Sequence, residues 1–408
     1  MSRRSLLWLA GLWLLPGGGA TAQTLSESEA LARMRTEYPQ VQALRLSVRE
    51  LEADVRERTV LVNPTVSYTR EDAGLTSDDF LLVTQDLPLW GRRRLRGEAA
   101  RDLVAAAEAD VDAELLEVET DVRLTFTDLL VAQEQARALE AGVAALGALV
   151  TVLQTRETEG EGSRFDRLRV EREVADVETD LATVQIGRRV AQSRLTAFFA
   201  AGADPEGVVA AGSLDERPVL PDTSPSPTRL AERRSDYRAL TLEAASWESE
   251  RSAARRLRLP AASLTGGVKR AATLGSSDTG YAVTAAVSLP LFNRGEAQVA
   301  RAEAGRARAE AERHALAARI AADVGAAAAI ATRYRAVADR YRADSVERAA
   351  ELVMIATAAY EEGEYGILEL LDAHRGTLRA RLRLVDLSAA ARRAAIELDH
   401  ALGERLMP

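Results

Sequence analysis

Two stretches of this chain, Arg92–Glu157 and Gly295–Glu361, each run for more than sixty residues without a proline. Both are rich in Ala, Leu, Glu and Arg, which are strong helix formers. At 1.5 Å per residue, each would make a rod of about 100 Å. No ordinary globular domain holds such a rod, so each helix must find cover along its length against other helices. Alanine marks the seams: Ala99, Ala106, Ala109 and Ala113 on the first, Ala302, Ala309 and Ala317 on the second. Small side chains let helix axes approach closely where both flanks of a helix pack sideways.

The two rods belong to a tandem repeat. Pro88-Leu89-Trp90 and Pro290-Leu291-Phe292 stand 202 residues apart, and Pro64 and Pro260 stand 196 apart. Val41-Gln42-Ala43-Leu44 and Tyr237-Arg238-Ala239-Leu240 share that spacing of 196, and Gly160-Glu161 precedes Gly363-Glu364 by 203. Phe165-Asp166 pairs in turn with Leu368-Glu369. Ordered landmarks at nearly constant spacing define an internal duplication. Each half reads helix, strand, turn, strand, very long helix, turn, helix. The expected helices are Leu25–Val62, Arg92–Glu157 and Arg164–Ala200, then Thr228–Arg258, Gly295–Glu361 and Ile367–Leu406. The repeats span 23–201 and 229–408, with hairpins near 64–88 and 260–290 and helix-to-helix turns near 158–166 and 361–369. Pro, Gly, Ser and Asp in 202–228 mark a surface connector with one short strand.

Residues 1–22 read as a secretory leader. Arg3 and Arg4 are followed by an apolar run from Leu6 to Leu15, then by the small-residue cleavage pattern Ala20-Thr21-Ala22. That run is too short to span a bilayer, which takes about 20 residues. Beyond residue 23 no apolar run is read as long enough for a membrane helix, so any membrane-crossing part must be a closed β-barrel. Tyr281, Val283, Ala285, Val287 and Leu289 alternate with Ala282, Thr284, Ala286 and Ser288, the pattern of an outer-membrane strand. Val66 and Tyr68 against Thr65, Ser67 and Thr69 repeat it, whereas Phe80–Leu87 is apolar on both faces and Ala262–Val268 is glycine-rich. Four strands cannot close a membrane barrel, which takes at least about eight. Oligomerisation is then required, and three copies would supply twelve strands.

Several function classes drop out. The net charge of -9 with no basic block makes nucleic acid a poor partner. With no cysteine there is no disulfide, thiolate metal site or lipid-bearing thiol. His314, His374 and His400 are scattered and none has a second histidine at ligand spacing, so no metal site, cofactor or catalytic group is read. Neither a phosphate-binding loop nor a nucleophile elbow occurs.

Asn63-Pro64, Leu87-Pro88-Leu89-Trp90-Gly91-Arg92, Ser288-Leu289-Pro290-Leu291-Phe292-Asn293-Arg294-Gly295 and Tyr360-Glu361-Glu362-Gly363-Glu364 with Leu368-Glu369-Leu370-Leu371-Asp372-Ala373 carry a resemblance. Over essentially all of residues 23–408 the sequence resembles the TolC family of outer-membrane efflux proteins, and within it the heavy-metal resistance branch, of cobalt-zinc-cadmium type. The resemblance implies a mainly α fold with a small β part: a periplasmic α-barrel of long helical hairpins below a trimeric twelve-stranded transmembrane β-barrel. It implies a homotrimer in the outer membrane of a Gram-negative bacterium, a periplasmic adaptor and an inner-membrane pump of RND type. The substrate would pass passively, metal cations among the candidates.

The same resemblance assigns working residues. Gly160, Ser163, Asp166, Gly363 and Gly366 fall in the turns that meet the adaptor. Glu369 and Asp372 match acidic positions at the channel constriction, and three residues apart they share one helix face. Tyr360 matches a tyrosine that holds the tip shut, with Asp166 opposite it. Two positions depart from the pattern: Gly366 stands where the first repeat has Ser163, and Tyr365 stands where the family has an arginine. Ser163 and Asp166 also suit a plain helix start. An alternative from another class is a periplasmic adaptor or coiled-coil scaffold, which has one helical hairpin where this chain repeats two.

Overall fold

The structure, a computed structural model, describes residues 23–200, 205–215 and 227–404. The leader and most of the connector lie outside those residues. The elements in order are β1 (Gln23–Ser26), α1 (Glu27–Glu37), α2 (Pro39–Thr59), β2 (Thr65–Ala73), β3 (Thr76–Leu87), α3 (Arg92–Glu159) and α4 (Arg164–Thr196). There follow β4 (Val208–Ala211), α5 (Pro227–Ala231), α6 (Ser235–Arg255), β5 (Ala261–Thr273) and β6 (Ser276–Ser288). The last are α7 (Glu296–Tyr341), α8 (Glu347–Glu361) and α9 (Ile367–Leu402), with a π-helical segment, Arg342–Val346, joining α7 to α8. The fold is mainly helical with a small β part.

Three expectations change. The first helix is split: β1 pairs with β4 in parallel, and Pro39 opens α2 at a position where its missing N–H costs nothing. The second long helix is interrupted by the π-helical segment, where the hydrogen bonds step out by one residue. Two helices, Leu89–Glu159 and Glu296–Glu361, do hold 18-residue windows apolar enough to cross a membrane, with mean hydropathy 1.6 and 1.4. Their runs of Ala, Leu and Val between widely spaced charges pass that test by composition alone, as the core helix of a packed bundle also does.

The chain divides into two compact units. One, the strand unit, comprises Met34–Leu124, Asp215–Glu347 and the chain from Asp386 onward. Its sheet is antiparallel in the order β2-β3-β5-β6. Register separates two faces. Tyr68, Leu81, Val268 and Tyr281 stand in one row and Val66, Val83, Gly266 and Val283 in the next row on the same side. Every large apolar strand residue that is exposed belongs to this face, Tyr281 at 90%. On the other face Thr65, Thr84, Thr265 and Thr284 form one row, and the Thr84 and Thr265 hydroxyls bond at 2.8 Å. Beside it, Lys269 reaches Asp78 at 2.6 Å. Gly267 is demanded by close approach, since a Cβ there would lie 2.0 Å from the carbonyl oxygen of Leu81.

The helices of this unit pack through small residues. Ala99, Ala106, Ala109, Ala302 and Ala309 are buried, and the Trp247 ring lies over Gly305, where a Cβ would come within 2.6 Å of it. Leu230, Ile320, Val324, Leu398 and Leu402 form a core cluster. Arg123 and Asp399 face each other at 2.8 Å, 3% and 1% exposed. The other unit, the turn unit, comprises Thr125–Leu214, Arg348–Val385 and the chain up to Arg33. Here Gln133 on α3 acts as a third strand for β4, its amide both donating to the Ala210 carbonyl and accepting from the Ala210 N–H at 2.9 Å.

Candidate functional site

The turn unit holds both helix-to-helix turns, and they close the same way. α3 ends with Gly160 at φ 81°, and α8 with Gly363 at φ 80°. In the first, the Gly160 N–H donates to Glu157 and the Glu161 N–H to Arg156. In the second, the Gly363 N–H donates to Tyr360 and the Glu364 N–H to Ala359. Both are complete Schellman caps, which only a residue at ease in the left-handed region closes without strain. A side chain at either glycine would meet open space, so conformation, not crowding, selects glycine there.

The next helices start differently. Ser163 caps α4, its Oγ accepting from the Phe165 N–H at 3.2 Å. Gly366 stands before α9 with no side chain to cap it, and Glu369 folds back so that its Oε2 lies 3.1 Å from where a Cβ would be. Asp166 and Glu369 thus hold the same position in the first turns of α4 and α9, where the helix dipole favours a carboxylate. Glu369 and Asp372 are both exposed on the first two turns of α9, while Ile367, Leu370 and Leu371 between them are buried. Asp372 lies close enough to raise the Arg375 guanidinium a little further, behind the larger effect of Glu173.

Tyr360 is half-buried with the Arg156 guanidinium 5.0 Å from its ring centre, a cation–π contact. Arg167 ties the start of α4 to the end of α3, bonding Glu157 at 2.6 Å and also Glu171. One ion pair was not anticipated from the sequence: Arg375 on α9 bonds Glu173 on α4, and the guanidinium holds that carboxyl below its usual range. Beneath the turns Leu139, Leu146 and Leu153 of α3 recur every seven residues, as do Val170 and Val177 of α4, in one cluster with Leu370 and Leu371. Above it Phe165, Leu168, Tyr365 and Leu368 are exposed. Among the described residues no group of His, Asp and Glu is placed to hold a metal ion.

The sequence profile of the outer membrane efflux protein family matches residues 227–404, the whole described second half. Residues 227–404 thus carry the signature of an outer membrane efflux protein. The chain is similar to the cobalt-zinc-cadmium resistance protein CzcC of Cupriavidus metallidurans, 24% identical over 358 residues, covering 86% of this chain and 84% of CzcC. Its fold is that of the outer membrane protein VceC of Vibrio cholerae, at a TM-score of 0.71 and 21% identity, covering 93% of this chain and 96% of VceC. It is also that of the open state of the Neisseria gonorrhoeae MtrE outer membrane channel, at 0.75 and 18%, covering 93% and 89%. The family match and both structural likenesses are to outer-membrane proteins. The adaptor and scaffold reading is set aside on the same ground.

Proposed function

We propose that three copies of this chain form the exit duct of a tripartite efflux system. The sheet carries the reading. One face carries all the exposed large apolar strand side chains, interrupted by Gln85, and the other carries a threonine row, which is what a barrel strand shows to lipid and to water. Four strands are half of the smallest closed membrane barrel, so the cylinder needs further copies. Three copies would give the twelve strands that the family resemblance implies. The duct needs no energy source of its own. An inner-membrane pump of RND type delivers the substrate through a periplasmic adaptor, whose docking surface is the pair of Schellman turns with Gly160, Ser163, Asp166, Gly363 and Gly366. The exposed Phe165, Leu168, Tyr365 and Leu368 supply apolar area for that contact.

At the constriction, exposed Glu369 and Asp372 repeat in each copy and ring the passage with carboxylates that favour cations. The Arg156–Tyr360 and Glu173–Arg375 contacts hold the closed arrangement, with Asp166 fixing the start of α4. Likeness to CzcC supports divalent metal cations as cargo. Single-channel recording in planar bilayers tests the proposal: replacing Glu369 and Asp372 together with Ala should lower the preference for cations over anions. Unchanged selectivity removes the acidic ring, and detergent-purified protein that sediments as a monomer removes the duct.

A further inference from the structure

At the end of the sheet where the strands meet the helices, positive charge accumulates without partners. Arg92, Arg93 and Arg94 open α3, and Arg96 follows. The first turn of a helix is where the backbone dipole favours anions and opposes cations, and this one has no acidic residue. Arg94 bonds Glu98 at 2.8 Å, but among the described residues Arg92, Arg93, Arg96 and Arg256 have no carboxylate partner. Burial pushes the Arg92 guanidinium down from its ordinary value, and the like charge of Arg96 adds to the effect. At the hairpin end the charges are mixed and paired, Lys269 with Asp78 and Arg70 with Asp72 and Asp79.

Arg92, Arg93, Arg96 and Arg256 line a cleft of about 510 Å³, which Glu57 and Asp86 also border, with an apolar wall of Val60, Leu61, Val62, Leu89 and Trp90. Trp90 has φ 64° and ψ 8°, the left-handed region, which is a true outlier for a bulky residue. It is clamped there: its indole Nε1 donates to the Pro260 carbonyl at 2.7 Å, and Arg256 donates to the carbonyl of Trp90 itself. Backbone strain held in place by neighbouring contacts clusters at binding sites. The ring is thereby fixed half-exposed beside the cations, and Leu291 and the 99% exposed Phe292 follow the end of β6.

We propose that this arginine- and tryptophan-lined cleft binds the phosphate headgroup of an anionic membrane phospholipid. The observation is the juxtaposition of unpartnered guanidinium groups with an apolar wall that continues, through Leu87 and Val287, into the exposed apolar face of the sheet. Such a surface fits an amphiphile with an anionic head and apolar tails, held by paired N–H donors to phosphate and by an aromatic at headgroup level. The inference rests on the outer-membrane reading.

The test reconstitutes the full protein in phosphatidylcholine vesicles doped with equal fractions of dibrominated phosphatidylglycerol or dibrominated phosphatidylcholine. Bromine quenches nearby indoles, and the difference between the protein and its Trp90→Phe variant isolates Trp90. Stronger quenching by the glycerol lipid is expected, with the preference falling about fivefold for each arginine lost. Arg92→Gln, Arg93→Gln and Arg96→Gln together should abolish it, the corresponding lysine variants should keep it, and free inorganic phosphate should leave it in place. Equal quenching by both lipids, or a preference that survives the glutamine changes, overturns the site. Quenching by neither lipid in vesicle-bound protein does the same. Protein that fails to float with any vesicle overturns the outer-membrane reading together with it.

Discussion

Removing one side of the Arg123–Asp399 pair should be among the most damaging single changes in the strand unit. The pair bridges α3 and α9 at 2.8 Å, and neither side chain is more than 3% exposed. Val122, Ile396 and Leu398 beside it are fully buried, so no water can take the place of a lost partner. Asp399→Ala leaves a buried guanidinium without its carboxylate, which costs about 3–5 kcal/mol. At roughly 2–4 °C per kcal/mol for a domain of this size, the midpoint should fall by about 6–20 °C. Arg123→Met should cost a similar amount. The double variant Arg123→Met with Asp399→Leu removes both charges at nearly constant volume and should return most of the loss, because the desolvation penalty vanishes with the pair. Thermal unfolding of the helical circular dichroism signal in detergent measures all four corners of the cycle. A loss below about 1 kcal/mol for Asp399→Ala, or a double variant as unstable as the sum of the two singles, refutes the reasoning.

Neighbouring glycines in β5 should behave oppositely. Gly267→Val drives a side chain into the Leu81 carbonyl and should abolish recovery of folded protein from the outer membrane, whereas Gly266→Ala, which meets open space, should fold normally. Membrane yield and protease resistance report both. The Glu173–Arg375 pair should make the turn unit acid-sensitive. Its carboxyl lies below the ordinary 4.5 when folded, so its contribution is complete above that pH and is lost as the pH falls through the lowered value. Midpoints recorded against pH should show this dependence in the natural protein and lose it in Arg375→Gln.

The long helices and both hairpins were legible because their signals are local: absence of proline, alanine seams, alternation at Tyr281–Val287. Phe80–Leu87 looked apolar on both faces. Register resolves it, since Leu81 and Val83 join the exposed face while Phe80 and Leu82 are half-buried beside Lys269 and Gly267 on the other. The glycines of β5 read as weakness from sequence, yet Gly267 is required by the backbone across from it. The short strand expected in the connector is β4, but β1 and its pairing with β4 escaped notice, because partners such as Gln23 and Val208 are far apart in the chain and four residues leave no periodicity to detect. The π-helical segment has no sequence signature either. At the turns, glycine and the first-turn acids could be placed from the repeat alone. What Tyr360 touches could not, because the contact depends on Arg156 from a different helix.

The sheet order has a last consequence for how such a protein is made. β2 and β6 are its outermost strands, and each presents a flank of N–H and C=O groups that no other strand among the described residues pairs with. Water tolerates that flank but hydrocarbon does not, at several kcal/mol for every bare group. If the sheet is barrel wall as proposed, a solitary copy has no stable resting place in the bilayer, and biogenesis must bring subunits edge to edge before or as they enter it. Until then the same flanks are templates for wrong pairing, so newly exported chains need either rapid encounter or a chaperone to shield them.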